Sequence, residues 1–175
     1  MAKEHNATPS QKPGRVTSLL ETLTSAIKQP KVAKQVQVEL QVDGGLHEQA
    51  YHFRFEATGD GSARSEFSCR LSSRQKRKDR GRISSKRFTA LLKRIVKSGI
   101  LNLPATQQSF LPDTVVGCLK ISYEGLVHKY YFAADPDQAA VQKQETPDEL
   151  LKAVNAVYAE GAYMLGVRSV KSVKP

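Results

Sequence analysis

The sequence predicts an α+β fold, an antiparallel sheet with helices packed on one face and a short amphipathic helix in front of it. After that helix the predicted order of elements is β-β-β-α-β-β-α. Three observations support the prediction. Several segments alternate apolar and polar residues, others repeat apolar residues at helical spacing, and glycine-containing turns join them.

The first half of the chain contains three predicted strands. Apolar residues occupy alternate positions in 36–42, 51–57 and 63–71, which is the period of a strand that buries one face. The intervening segments 43–45 and 58–62 contain aspartate and glycine, which tolerate tight reversals. We therefore expect an antiparallel meander in this half.

A helix and a hairpin are predicted next. The helix begins after a capping serine, Ser84 or Ser85, and ends at Gly99, which suits the left-handed position after a helix. Its apolar face consists of Phe88, Leu91, Leu92, Ile95 and Val96. The hairpin covers 115–123 and 126–133.

A terminal helix is predicted to follow. Thr146 and Glu149 have the spacing of a capping box, and Pro147 suits the first helical position. Gly161 is expected to end the helix. Its apolar face consists of Leu150, Leu151, Val154, Val157 and Tyr158.

The remaining segments give the domain boundaries. Residues 1–14 are expected to be a disordered tail, and 166–175 a frayed one. Residues 15–30 are predicted to form an N-terminal helix, which either packs loosely on the domain or is available to a partner. Residues 35–165 are predicted to form a single α+β domain. The apolar face of the N-terminal helix consists of Val16, Leu19, Leu20, Leu23 and Ile27.

Composition excludes several classes of protein. The chain has 175 residues, 39% of them hydrophobic and 25% charged, so one domain can bury a core. It has no run of about eighteen apolar residues to span a membrane, and no apolar stretch of a secretion signal. Cys69 and Cys118 are expected to be reduced thiols. We therefore expect a cytoplasmic protein, or a nuclear one in a eukaryote.

Positive charge is concentrated in one segment. The net charge is +10, and residues 70–97 contain twelve lysines and arginines against one acid, Asp79. Residues 72–82 include no apolar side chain. Such a run cannot enter a core, so the sequence predicts an exposed, mobile basic loop over 72–87.

No catalytic arrangement is recognisable. The sequence lacks a glycine-rich phosphate loop with its lysine, a nucleophile elbow, a zinc-binding helix and paired cysteines. The chain is therefore predicted not to be an enzyme and to need no metal or cofactor; an enzyme using His128 or Asp135 is a third-ranked hypothesis. The histidines and loop carboxylates are interpreted as tail, strand, turn and capping residues: His5, His47, His52, His128, Asp113, Asp135 and Asp137.

The basic segment predicts binding to nucleic acid or another polyanion. Exposed lysines and arginines neutralise phosphates and release counterions without reading bases. Stacking on single strands would also need exposed aromatic residues, and the candidates lie on predicted strands: Tyr51, Tyr123, Tyr130 and Tyr131. The predicted phosphate contacts are Arg74, Lys76, Arg77, Lys78, Arg80 and Arg82, with Lys86, Arg87, Lys93, Arg94 and Lys97 as a second set.

Two other interpretations remain open. The basic segment can serve solubility alone or, in a eukaryote, nuclear import through 74–82. The chain can also be a protein-interaction module, a protease inhibitor or assembly factor acting through a sheet edge or the helix at 19–27. A specific protein complex should persist at high salt, whereas a phosphate-driven complex should dissociate.

The second half of the chain resembles a known family. The helix ending SGILNLP at 98–104, PDT at 112–114, LKISYEGLVHKYYF at 119–132 and TPDEL at 146–150 give the pattern. Over residues 88–158, it is similar to emfourin-like protease inhibitors and to related small uncharacterised bacterial domains. The resemblance implies a bacterial-type, non-enzymatic domain that works by surface contact.

Overall fold

The computed structural model describes residues 18–44, 51–69, 76–104, 116–133 and 146–166. The predictions made for the tail at 1–14 and for nearly all of the tail at 166–175 fall outside these ranges. So do Arg74, His5, His47 and the loop carboxylates Asp113, Asp135 and Asp137.

The α+β class is confirmed, with three additions to the predicted order. A single helical turn follows the first helix, a further strand precedes the central helix, and a 3-10 turn follows it. The elements are α1 (Leu19–Lys28), α2 (Pro30–Ala33), β1 (Val36–Gly44), β2 (Tyr51–Thr58), β3 (Ser62–Cys69), β4 (Arg77–Arg82), α3 (Ser85–Ser98), a 3-10 turn (Ile100–Asn102), β5 (Val116–Tyr123), β6 (Leu126–Ala133) and α4 (Asp148–Met164).

All strands in the described ranges belong to one antiparallel sheet of six, in the order β4-β3-β2-β1-β5-β6. Strand β1 pairs with β2 on one side and with β5 on the other. Leu40 accordingly stands opposite both Phe55 and Leu119. The front meander and the rear hairpin therefore share one hydrogen-bonded surface.

One face of the sheet is apolar and buried beneath the helices. Alternate residues of β1, β2, β5 and β6 point into this core, among them Val38, Phe55, Ile121 and Tyr130, each with no exposed surface. We call the opposite side the open face. It carries the polar members of each alternation, such as Glu39 and its neighbours.

The N-terminal helix is part of the core, which corrects the prediction of a loosely packed or partner-binding helix. Leu19, Leu23 and Ala26 are at most 2% exposed. Ser18 and Glu21 form a reciprocal capping box that begins α1 at Leu19. The sequence of an apolar helical face does not indicate which elements cover it. In this structure the sheet and α3 cover the apolar face of α1.

Helix α4 differs from prediction at both ends. Pro147 is its N-cap and no side chain caps it, so the proposed capping box of Thr146 and Glu149 does not form. Gly161 lies inside the helix, which continues to Met164. A Cβ on Gly161 would stand 2.7 Å from Cζ of Phe53, so the glycine permits close packing on the sheet.

The prediction of a mobile loop over 72–87 is wrong for the part that the structure describes. Its described part contains β4, which pairs with β3, and the first turn of α3. All six residues of β4 are exposed, so the strand has no apolar alternation by which it could be recognised. The caps predicted for α3 are confirmed at Ser84 and Gly99.

None of the described helices is both long enough and apolar enough to cross a membrane.

Gly59 supplies a test of this packing. A Cβ there would lie 1.6 Å from the carbonyl oxygen of Ala33 in α2. We expect Gly59→Ala to lower the free energy of unfolding by about 2–3 kcal/mol, because backbone must move to admit the methyl group. Urea denaturation followed by circular dichroism measures the change.

Gly81→Ala is the matched control for Gly59→Ala. Its Cβ would meet only Cε of Met164, at an ordinary 3.7 Å. We expect a change within about 0.5 kcal/mol. Equal denaturation midpoints for the two variants would contradict the described contact between α2 and the turn after β2.

Candidate functional site

Strand β4 forms one edge of the sheet and carries four of the first group of predicted phosphate contacts, Arg77, Lys78, Arg80 and Arg82. Its register on β3 places Arg80 opposite Arg64 and Lys78 opposite Glu66, on the open face. The alternate residues Arg77 and Asp79 stand on the helix side. The predicted contacts in β4 therefore project from both sides of one edge rather than from a single loop surface.

Part of this charge has a structural explanation. The outer backbone groups of β4 have no strand partner in the described part of the chain. Exposed edge strands attract other strands, and charged side chains prevent such pairing. The composition of β4 therefore suits an edge that must not aggregate, whether or not it binds a partner.

Helix α3 carries the second group. Lys86, Lys93 and Lys97 recur at intervals of seven and four residues and are exposed on one side of the helix. No ion pair joins any of the three to another described residue. Arg87 and Arg94 lie on a neighbouring line of the same helix, towards α4.

Glu160 on α4 binds both of these arginines. The Nε and Nη2 atoms of Arg87 donate to its Oε2 at 3.1 and 2.6 Å, and Nη1 of Arg94 lies 3.9 Å from Oε1. The Arg87 guanidinium also lies 3.6 Å from the centroid of the Tyr163 ring. This cluster is not recognisable in the sequence, because Arg87 and Glu160 are 73 positions apart.

Further contacts fix two of the β4 side chains. Nη1 of Arg77 donates to the carbonyl oxygen of Leu165 at 3.2 Å, and Nζ of Lys78 lies 3.4 Å from Oε2 of Glu66. The Arg64 guanidinium, followed by Lys78, holds the pKa of Glu66 below its ordinary value. These cations belong to the structure of the edge as well as to its surface charge.

The other lysines and arginines on or next to β4 and on α3 form no ion pair with a described residue. They are Lys76, Arg80, Lys86, Lys93 and Lys97. Arg82 contributes to the lowered pKa of Asp60, although the hydroxyl of Thr58 is the main cause. We use the term basic surface for the described set of Lys76, Arg77, Lys78, Arg80, Arg82, Lys86, Arg87, Lys93, Arg94 and Lys97.

The aromatic residues proposed for stacking are poorly placed for it. Tyr130 is fully buried, and burial raises its pKa to about 12. Tyr123 packs against the core, and Tyr131 lies half-buried on the open face near the edge opposite β4. The side chain of Tyr51 is outside the described set. Among the tyrosines whose side chains the structure describes, the exposed one is Tyr163, at 66%.

The open face contains a shallow depression of about 400 Å³ over β1, β5 and β6. Ion pairs already occupy its floor: Glu39 Oε1 lies 2.6 Å from Nη2 of Arg54, and Glu39 Oε2 lies 3.5 Å from Nζ of Lys120. Burial raises the pKa of the Cys118 thiol that lines it, which disfavours the nucleophilic thiolate.

The described histidines have local partners. His52 contacts Asp43 on the neighbouring strand, and Nδ1 of His128 lies 3.2 Å from the hydroxyl oxygen of Tyr130. Within the described ranges no three potential metal-ligating side chains come together. The prediction that the chain is not an enzyme stays a prediction.

No protein-family model matches the chain, and no curated protein matches it either. The resemblance of 88–158 to emfourin-like inhibitors therefore stays a prediction. The segments that suggested it fall on α3 and its 3-10 turn, the hairpin of β5 and β6, and the start of α4, while 112–114 lies outside the described residues.

The Arg87–Glu160 pair gives a test of the cluster. In a double-mutant cycle with Arg87→Gln and Glu160→Gln, we expect a coupling free energy of about 1 kcal/mol, because two charge-assisted hydrogen bonds join groups that are partly shielded from water. Urea denaturation of the four proteins measures it.

The Lys152–Asp148 pair is the control for this cycle. Its side chains are 67% and 76% exposed and lie 3.7 Å apart, so we expect a coupling of at most about 0.5 kcal/mol. If the Arg87–Glu160 coupling does not exceed that of the control, Arg87 is not held in the described position.

Proposed function

We propose that this chain is a non-catalytic binding module that engages nucleic acid through its basic surface, without base specificity. The supporting observation is the local excess of charge. Between residues 76 and 97 there are ten lysines and arginines against one acid, on an edge strand and the helix that follows it. Such a surface attracts phosphates and releases their counterions.

Protection of a sheet edge explains only part of this excess. The charged residues of α3 do not lie on a strand, and they extend over a helix about 21 Å long. Nearby acids pair with only three cations of the basic surface. Glu66 binds Lys78 of β4, and Glu160 binds Arg87 and Arg94 of α3. The remaining cations are the ones expected to contact phosphates.

The composition of the surface favours contact with the backbone of nucleic acid. Neither β4 nor α3 contains an asparagine or glutamine, the side chains that pair bidentately with adenine. Arginine and lysine in an exposed row bind phosphate oxygens without regard to sequence. We therefore expect affinity to follow the number of phosphates and the salt concentration.

A protein-interaction module is the second candidate, in line with the resemblance to inhibitors. The outer edge of β6 favours it, because this sheet edge has no strand partner in the described part of the chain, is not dominated by charged residues as β4 is, and can accept an extended peptide. Helix α1 does not support a protein-interaction role, because its apolar face is buried. Binding that persists at high salt would indicate this candidate.

A charge-reversal experiment tests the first proposal. Anisotropy of labelled single-stranded and duplex oligonucleotides is measured from about 50 to 300 mM salt, a range over which phosphate-driven binding weakens steeply. The variant Arg80→Glu/Lys86→Glu/Lys93→Glu removes three exposed cations without an ion pair to a described residue. We expect the log-log salt slope to fall by about two to three units.

The matched control is Lys28→Glu/Lys129→Glu/Lys152→Glu. It makes the same change in net charge at exposed positions on α1, β6 and the first half of α4. We expect its salt slope to stay within about one unit of the wild type, because only long-range attraction is lost. Equal effects of the two variants, or no binding by the wild type at 50 mM salt, would refute the proposal.

A further inference from the structure

The last turn of α4 places an exposed aromatic side chain beside the basic surface. Tyr163 is 66% exposed, and the other large hydrophobic side chain exposed in the described residues is Val127 on β6, at 45%. A single exposed apolar residue needs no explanation by itself. The surroundings of Tyr163 distinguish it.

Helix packing brings Tyr163 to the junction of β4 and α3. Helix α4 runs antiparallel to α3, so that Glu149 lies near Gly99 and Glu160 binds Arg87. Just past Tyr163, the carbonyl oxygen of Leu165 accepts a hydrogen bond from Arg77 of β4. Arg87 of α3 therefore lies over the ring, and Arg77 of β4 is bonded to the backbone two residues beyond it.

The ring is covered on one side by Arg87. The guanidinium stands 3.6 Å from the ring centroid, and its two hydrogen bonds to Glu160 hold it there. Two thirds of the residue is exposed even with Arg87 over the ring, so Tyr163 is accessible to a further contact. A largely exposed aromatic ring that is held by a cation and lies next to a basic strand and helix is suited to stack on a nucleobase whose phosphates those cations bind.

We infer that Tyr163 is a stacking platform for an unpaired base of single-stranded nucleic acid whose phosphates lie on the basic surface. This inference rests on the proposed function and names its ligand class. Bases in a duplex are already stacked on both sides, so a duplex can use the phosphate contacts but not the tyrosine. Single strands offer both, and stacking on an aromatic side chain strengthens binding for any base.

Tyr163→Ala tests the inference directly. Dissociation constants are measured at one salt concentration for three labelled ligands of equal length: an oligo-dT single strand, a duplex, and an abasic strand with phosphates but no bases. We expect the variant to weaken binding of the oligo-dT strand by about 5- to 100-fold and to leave the duplex and the abasic strand within about twofold. Circular dichroism and the urea midpoint verify the fold.

Two further variants complete the experiment. Tyr163→Phe keeps the ring and should retain most of the affinity for the oligo-dT strand. Tyr131→Ala removes a half-exposed tyrosine on the open face, away from the basic surface, and should bind all three ligands as the wild type does.

The outcomes distinguish the stacking role of Tyr163 from the proposed binding of nucleic acid by the basic surface. If the wild type binds none of the ligands, both fail. If it binds with a steep salt slope but Tyr163→Ala binds oligo-dT as tightly as the wild type, the stacking platform is wrong and the basic surface stands. If the variant weakens all three ligands equally, Tyr163 acts by positioning Arg87, and the stacking platform is again wrong.

Discussion

The whole structure depends on the register of the central strand β1. Its apolar residues, from Val36 to Val42, are at most 5% exposed, and they pair with apolar residues of β2 and β5 on either side. The same register sets Glu39 between strands that supply Arg54 and Lys120 on the open face. A slip of one residue would bury that charged group and expose the core, so register is strongly specified.

The candidate site is a consequence of this packing. Gly161 lets α4 lie close on β2, and the hydroxyl of Ser65 in β3 donates to its carbonyl oxygen at 3.0 Å. Because the helix is docked so closely, its last turn reaches β4 and the start of α3. Glu160 then joins α4 to Arg87, on the first turn of α3. The position of the exposed ring of Tyr163 is thus set by the core rather than by the surface.

Elements with one buried face could be predicted from the sequence, because burial imposes a period of two on strands and about 3.6 on helices. Strand β4 shows neither period, because all its side chains are exposed, and its sequence therefore predicts a loop. Gly161 was predicted to end α4, because a glycine that permits close packing looks the same in sequence as one that terminates a helix. The sequence also could not show whether the apolar face of α1 is buried within the domain or exposed to a partner, because that depends on tertiary packing.

The candidate site could be predicted in composition but not in arrangement. The basic residues can be identified from their density along the chain, and those described lie on or next to β4, at one edge of the sheet, and on α3. Their division between free and ion-paired side chains depends on Glu66 and Glu160, which come from other elements. Tyr163 was missed for the same reason, since its exposure and its contact with Arg87 arise only from tertiary packing.

Mapping of backbone amide chemical shifts on titration with a short single strand tests the central claim most directly, because it identifies the surface rather than the affinity alone. The account predicts shifts in β4, along α3 and in the last turn of α4, with α1 and the β5–β6 hairpin unchanged. Shifts concentrated on the open face over β1 and β5, or none at concentrations of oligonucleotide that saturate anisotropy, would contradict it.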